Sequence, residues 1–145
     1  MAISVLLVDD EASFLETLSK RLKLRRLHVL TATSGAAALD VVRTEPVDVV
    51  VLDVKMPGMD GIATTRAIRD EHPLVEVILL TGHASIEASL QGMGRGAFDY
   101  LLKPVSIDEL VFKIEDAHRK KMLQEEKIRR LAAQADPDAE GAAPE

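Results

Sequence analysis

The 145-residue sequence contains no cysteine. Neither a disulfide framework nor a thiolate-bound metal is open to it, and a chain without thiols suits a reducing cytosol. Aromatic residues make up 3% of the chain and tryptophan is absent, which leaves no platform for stacking unpaired bases. Long apolar runs are missing too: the longest are a few residues, far short of a membrane span, and the N-terminus lacks the charged and apolar regions of a signal peptide. Basic charge is in deficit. Eighteen Lys and Arg against 24 Asp and Glu leave a net charge of −6, which argues against direct binding of nucleic acid, because a phosphate backbone calls for a basic face. The expectation is a cytoplasmic protein with no membrane attachment, whose 47% hydrophobic content is enough for one well-buried core and short for two.

What is present is organised around Val49-Val50-Val51-Leu52-Asp53-Val54-Lys55-Met56-Pro57. Four consecutive apolar residues read as a strand buried on both faces, which implies a parallel sheet covered by helices. Asp53 then stands at the carboxyl end of a central strand, the edge where open α/β sheets bind ligands.

Taken in order, the chain repeats strand and helix five times. Ser4 to Val8 is a short apolar strand that ends on Asp9, Asp10 and Glu11. Ser13 is the candidate cap of a helix whose Phe14, Leu15, Leu18 and Leu22 form one apolar stripe, and whose end is basic in Lys20, Arg21, Lys23, Arg25 and Arg26. His28 to Thr33 is the second strand, Ser34 the next cap, and Gly35 to Arg43 the second helix. After the central strand, Val47 to Asp53, the turn-rich Pro57-Gly58-Met59-Asp60-Gly61 leads to a helix near Ile62 to Asp70. Val75 to Leu80 is the fourth strand, followed by Thr81-Gly82. Ser85 to Gly94 is a weaker helix, softened by Gly92, Gly94 and Gly96. Ala97 to Leu102 is the fifth strand, ending in Lys103-Pro104, and Ser106 or Asp108 opens a last helix patterned to about Ala133. This alternation predicts a doubly wound α/β fold. The final residues, with Asp136, Asp138, Glu140 and Glu145 among Ala, Gly and Pro, read as a disordered acidic tail.

If the strands are parallel, Asp9, Asp10, Asp53, Thr81 and Lys103 converge on one edge. Clustered carboxylates raise one another's pKa, and a bound divalent cation relieves the conflict; oxygen-only ligands suit Mg²⁺ better than zinc. At these positions the sequence resembles the receiver domain of bacterial two-component response regulators over about residues 3 to 118. The resemblance rests on Leu-Leu-Val-Asp-Asp-Glu at 6 to 11, Val-Leu-Asp-Val-Lys-Met-Pro-Gly-Met-Asp-Gly at 51 to 61, Leu-Leu-Thr-Gly-His at 79 to 83 and Ala-Phe-Asp-Tyr-Leu-Leu-Lys-Pro at 97 to 104. The Thr-Gly-His and Lys-Met-Pro-Gly-Met-Asp-Gly pieces resemble receivers of the σ54-activator type.

The resemblance implies a five-stranded flavodoxin-like sheet of order 2-1-3-4-5 with an extended C-terminal helix. It implies that Asp53 takes a phosphoryl group from a sensor histidine kinase or a phosphotransfer protein, and that the chain is a signalling domain rather than a turnover enzyme. Asp10 would ligate Mg²⁺ directly and Asp9 mainly through water, with Asp53 and the backbone carbonyl of Lys55 completing the set. Lys103 and Thr81 would contact the phosphoryl group, the Lys103–Pro104 bond would be cis, and Thr81 with Tyr100 would form the switch pair for the face of the fourth helix, fifth strand and fifth helix. Lys55 and His83 lie two residues beyond Asp53 and Thr81, where the family tunes acyl-phosphate lifetime.

Two other readings compete. An aspartate-nucleophile phosphatase of the haloacid-dehalogenase type also places an aspartate after a parallel strand, but it needs an acid where Lys55 stands. A receiver-shaped scaffold that takes no phosphate would be expected to leave some of these positions unfilled. The division expected is a receiver over 1–118, a helical extension over 119–134 and the acidic tail over 135–145, with no output domain in the chain. The extension is either solvated, supported by the i,i+4 pairs Glu115–Arg119, Asp116–Lys120, Glu125–Arg129 and Glu126–Arg130, or the seam of a homodimer. Ile107, Leu110, Ile114, Ala117, Ile128 and Leu131 share one heptad register, interrupted at Lys121 and Gln124.

Overall fold

In the computed structural model, residues 2–55, 60–82 and 86–135 are described, Ile86 and Gly92 by backbone alone. The strands β1 (Ser4–Val8), β2 (His28–Ala32), β3 (Val49–Asp53), β4 (Glu76–Thr81) and β5 (Asp99–Leu102) alternate with the helices α1 (Ala12–Lys23), α2 (Gly35–Thr44), α3 (Gly61–Glu71), α4 (Ile86–Gly94) and α5 (Ile107–Ala135). All pairings are parallel, in the order β2-β1-β3-β4-β5. This is the expected doubly wound sheet. Met56 to Met59, His83 to Ser85 and the acidic residues from Asp136 onward lie outside the described residues.

Strand alternation divides the core into two layers. Val5, Leu7, Val49, Val51, Ile78, Leu80 and Leu101 face α1 and α5, meeting Leu15, Leu18 and Leu22 on one helix and Leu110, Ile114 and Ala117 on the other. Leu6, Val8, Val50, Leu52, Val77 and Leu79 face the opposite side, against Ala38, Leu39 and Val42 of α2 and Ile68 of α3. Val49 to Leu52 are buried on both faces, which is why that run carries no polar alternation.

Among the described helix starts, those of α2, α3 and α5 follow local chemistry and that of α1 does not. Ser34 caps α2 by accepting the Ala37 N–H at 3.1 Å, Asp60 caps α3 by accepting the Ala63 N–H at 2.8 Å, and Ser106 stands at the start of α5, its hydroxyl 3.4 Å from the Glu109 nitrogen. Ser13 does not cap α1. The helix begins at Ala12, so Ser13 lies inside it, and the cap position Glu11 makes no side-chain cap bond. The Asp9 carboxylate turns the chain there by accepting the Glu11 N–H at 2.9 Å. Gly61 is required by close approach: a Cβ at that position would lie 2.6 Å from the Asp53 carbonyl oxygen and 2.7 Å from Val54 Cα.

The charges on α5 bond differently from the expected i,i+4 pairs. Arg119 turns to Asp116 at 2.6 Å, Lys120 reaches Glu76 on β4 at 3.3 Å, and Lys121 lies between Asp48 at 3.1 Å and Glu125 at 2.9 Å. Among the described residues neither Glu125–Arg129 nor Glu126–Arg130 forms an ion pair. Two of the three carboxylates that capture these lysines lie outside the helix, Glu76 on β4 and Asp48 just before β3, and the packing of α5 on the sheet brings them within reach. Lys121, which interrupts the apolar seam, is only 13% exposed. Burial presses its pKa down, but hydrogen bonds to Glu125 and Asp48 outweigh that and leave it raised.

Candidate functional site

The site forms where strand pairing continues one residue past the strands. The Asp9 N–H donates to the Ala32 carbonyl at 3.2 Å, Val54 to Leu80 at 3.0 Å, and Lys103 to Thr81 at 2.8 Å, which ties the end of β1 to β2 and the ends of β3 and β5 to β4. Alternation then assigns faces. Asp9, Asp53 and Lys103 continue the set that looks toward α1 and α5, whereas Thr81 and Tyr100 belong to the set that looks toward α4.

Asp9 is 2% exposed, and both its oxygens have partners: Oδ1 accepts from Glu11, and Oδ2 accepts from Lys103 Nζ at 3.2 Å. The same ammonium lies 3.5 Å from Asp53 Oδ1 and 4.6 Å from the centre of the Phe14 ring. Asp10 is exposed. Asp9, Asp10 and Asp53 each offer a carboxylate oxygen, and the three oxygens lie within 4.8 Å of one another, an arrangement able to hold a metal ion. The Lys55 side chain is exposed, and the residue's backbone N–H lies close enough to the Asp53 carboxylate to favour the charged form.

Thr81 is fully buried, and its hydroxyl donates to the Gly82 carbonyl at 3.1 Å rather than to the carboxylates. Leu79 pairs with Tyr100 and Thr81 with Leu102, so Tyr100 is a diagonal neighbour of Thr81 on the α4 face, partly buried against that core layer. The Lys103–Pro104 bond is cis, as expected. The structure thus brings Asp9, Asp10, Asp53 and Lys103 together and sets Thr81 and Tyr100 on the other side of the sheet. Sequence reading placed Phe14 in the apolar stripe of α1 and missed its contact with Lys103, for which only its position in the helix's first turn was a signal.

Burial raises the pKa of Asp53 above the ordinary carboxylate value. Lys103 opposes the shift, the negative charge of Asp9 adds to it, and the Lys55 N–H opposes it again.

A carboxylate cluster with one lysine, at the C-terminal edge of a 2-1-3-4-5 parallel sheet, defines a class. The chain belongs to the response regulator receiver domain family, matching it over residues 5–115. It is 40% identical over 111 residues to the DNA-binding transcriptional regulator NtrC of Klebsiella pneumoniae, covering 77% of this chain and 24% of that protein. It is 38% identical over 115 residues to the transcriptional regulatory protein ZraR of Escherichia coli, covering 79% and 26%. The chain therefore spans about a quarter of the length of these relatives. Among solved structures, a response regulator receiver domain protein from Clostridium thermocellum superposes with a TM-score of 0.81 at 35% identity, covering 84% of this chain and 98% of that one. NtrX from Brucella abortus gives 0.82 at 30%, covering 89% and 29%. Among the described residues no helix is long and apolar enough to cross a membrane.

A raised carboxylate pKa means that the folded state favours the proton, so Asp53 contributes stability below its unfolded pKa and loses that contribution as pH rises through the folded value. Near neutral pH and without divalent cations, Asp53→Asn is therefore expected to melt at a higher temperature than the wild type. The gap should close as pH falls through the carboxylate range. Thermal denaturation in EDTA across that range checks this, and a variant less stable than wild type at neutral pH would contradict it.

Proposed function

We propose that this chain accepts a phosphoryl group on the Asp53 carboxylate from the phosphohistidine of a sensor histidine kinase or a phosphotransfer protein, and that it signals through the acyl phosphate rather than turning over a substrate. The observation that carries this reading is the Asp53 carboxylate at the end of β3, inside the three-carboxylate cluster and 3.5 Å from the Lys103 ammonium. An Asp53 oxygen attacks phosphorus in line, the P–N bond breaks, and its electron pair returns to the departing imidazole. Phosphoryl transfer demands positioning and neutralisation of oxygen charge, which Lys103 supplies from one side. The Thr81 hydroxyl exchanges the Gly82 carbonyl for a phosphoryl oxygen.

The donors Asp9, Asp10 and Asp53 are all oxygens, which fits a hard divalent cation. We assign Mg²⁺, with Asp10 as a direct ligand and the Lys55 carbonyl joining Asp53. Both Asp9 oxygens already have protein partners, which favours contact through water. When bound, the ion neutralises charge on the phosphoryl oxygens.

Thr81 moving toward the phosphoryl group vacates space on the α4 face, where Tyr100 is its diagonal neighbour. The two form the switch of the α4–β5–α5 face. The chain divides into a receiver over 1–118, a helical extension over 119–134 and an acidic tail. It works in the cytoplasm, and with its net charge of −6 it makes no direct contact with nucleic acid. Ile128 and Leu131, each about half exposed, fit a helix-mediated homodimer.

Incubation with acetyl phosphate or phosphoramidate and Mg²⁺ is expected to add the mass of one phosphoryl group. The gain should vanish in Asp53→Asn and with EDTA, and equal labelling of the variant would defeat the assignment. Beryllofluoride with Mg²⁺, standing in for the phosphoryl group, is expected to change hydrogen exchange across residues 86 to 102; no change with the ligand bound would remove the switch. Light scattering of Ile128→Lys/Leu131→Lys against the wild type tests the dimer, and a shared oligomeric state excludes this seam.

A further inference from the structure

The Lys103 ammonium has a third neighbour besides its two carboxylates, and that neighbour carries no charge. Nζ lies 4.6 Å from the centroid of the Phe14 ring, inside the range of a cation–π contact. Phe14 is in the first turn of α1, and the docking of Leu15, Leu18 and Leu22 against the sheet fixes where its ring can stand. The ring also lines a groove of about 210 Å³ together with Lys103, Pro104, Val105 and Ile107, so ring and lysine border the same opening.

This arrangement matters because the other two contacts of Lys103 compete with the reaction. Asp9 and Asp53, 3.2 and 3.5 Å from Nζ, are the same groups assigned to the cation and to the phosphoryl group. Once those oxygens are engaged, the carboxylates hold the ammonium less firmly. A ring face attracts a cation without a directional hydrogen bond, so the ammonium can shift toward a phosphoryl oxygen while keeping that contact.

We propose that Phe14 is a positioning residue for Lys103, its ring face seating the ammonium at the edge of the carboxylate cluster so that it is available to the phosphoryl group on Asp53. The inference rests on the phosphoryl-acceptor reading above. It specifies an aromatic face at position 14, where an aliphatic side chain of similar volume would serve packing alone.

The test compares full-length wild type, Phe14→Leu and Phe14→Tyr. Loss of the ring face is expected to slow Asp53 labelling by phosphoramidate roughly 2- to 30-fold at saturating donor, the range a single cation–π contact spans. Tyrosine should retain the rate, and Mg²⁺ binding measured by calorimetry should be unchanged in both variants. A second readout needs no reaction: in the metal-free protein the Lys103 ε-methylene protons should resonate upfield of ordinary lysine through the ring current, and Phe14→Leu should remove that shift. A wild-type rate in Phe14→Leu, equal slowing by Leu and Tyr, or ordinary Lys103 shifts in the wild type would overturn the proposal. Lys103→Ala and Asp53→Asn separate the two levels of the argument, because undiminished labelling in either would sink the acceptor reading itself.

Discussion

Two carboxylates on one sheet edge share a single ammonium, and much of the architecture exists to bring those three groups together. Asp9 and Asp53 are 2% and 14% exposed at the side chain, and Lys103 lies within 3.5 Å of both. A buried carboxylate without a partner is costly, whereas one beside a cation is tolerated. The lysine is delivered by β5 through its backbone bond to Thr81, Asp53 by β3, and Asp9 by β1. Gly61 lies so close to the backbone of Asp53 and Val54 that only glycine fits there. The compensation is incomplete, since the Asp53 pKa remains raised by burial. That residual strain in charge is what a bound cation would relieve.

The pleat separates two tasks. Alternate residues look to opposite sides of the sheet, so the charged groups share the face covered by α1 and α5, while Thr81 and Tyr100 share the face covered by α4. A residue at the end of β4 is thus close to the carboxylates in sequence register, yet its side chain packs with the opposite layer.

The opposite edge of the sheet has an ionic arrangement of its own. Glu76, 1% exposed at the first position of β4, meets Arg69 from α3 at 3.4 Å and Lys120 from α5 at 3.3 Å. Asp48 accepts from the Ser4 N–H at 2.9 Å and pairs with Lys121. Near its start, α5 is also tied to the turn after α1 by the ion pair between Asp108 and Arg25. The helix is therefore fastened to the sheet as far as Lys121; Leu123, Ile128 and Leu131 are exposed beyond that point, and Phe112 is exposed before it. A helix of 29 residues, about 43 Å long, departs from the domain along an axis set by these contacts.

Local pattern was enough for the strands and for most helix starts, because a strand buried on both faces must read as an unbroken apolar run and a serine or aspartate before a helix satisfies an orphan N–H wherever it stands. Convergence of Asp9, Asp53 and Lys103 was legible as well, since parallel strands leave their carboxyl ends on one edge. Ser13 was misread because a carboxylate two residues before Glu11 had already turned the chain. The charges of α5 were misread for a related reason: the i,i+4 rule sees only the helix, whereas Lys120 and Lys121 also reach Glu76 and Asp48, each more than forty residues away in the chain. Phe14 was visible as an apolar residue, but whether a ring packs on leucine or seats an ammonium depends on where β5 ends in space. The sequence by itself determined the order of elements and the chemical groups at the strand ends, because these follow from periodicity and chain direction. Only the tertiary structure decided which charges meet, which face each group looks toward and which ring lies beside the lysine, because those depend on distances between segments that no local pattern encodes.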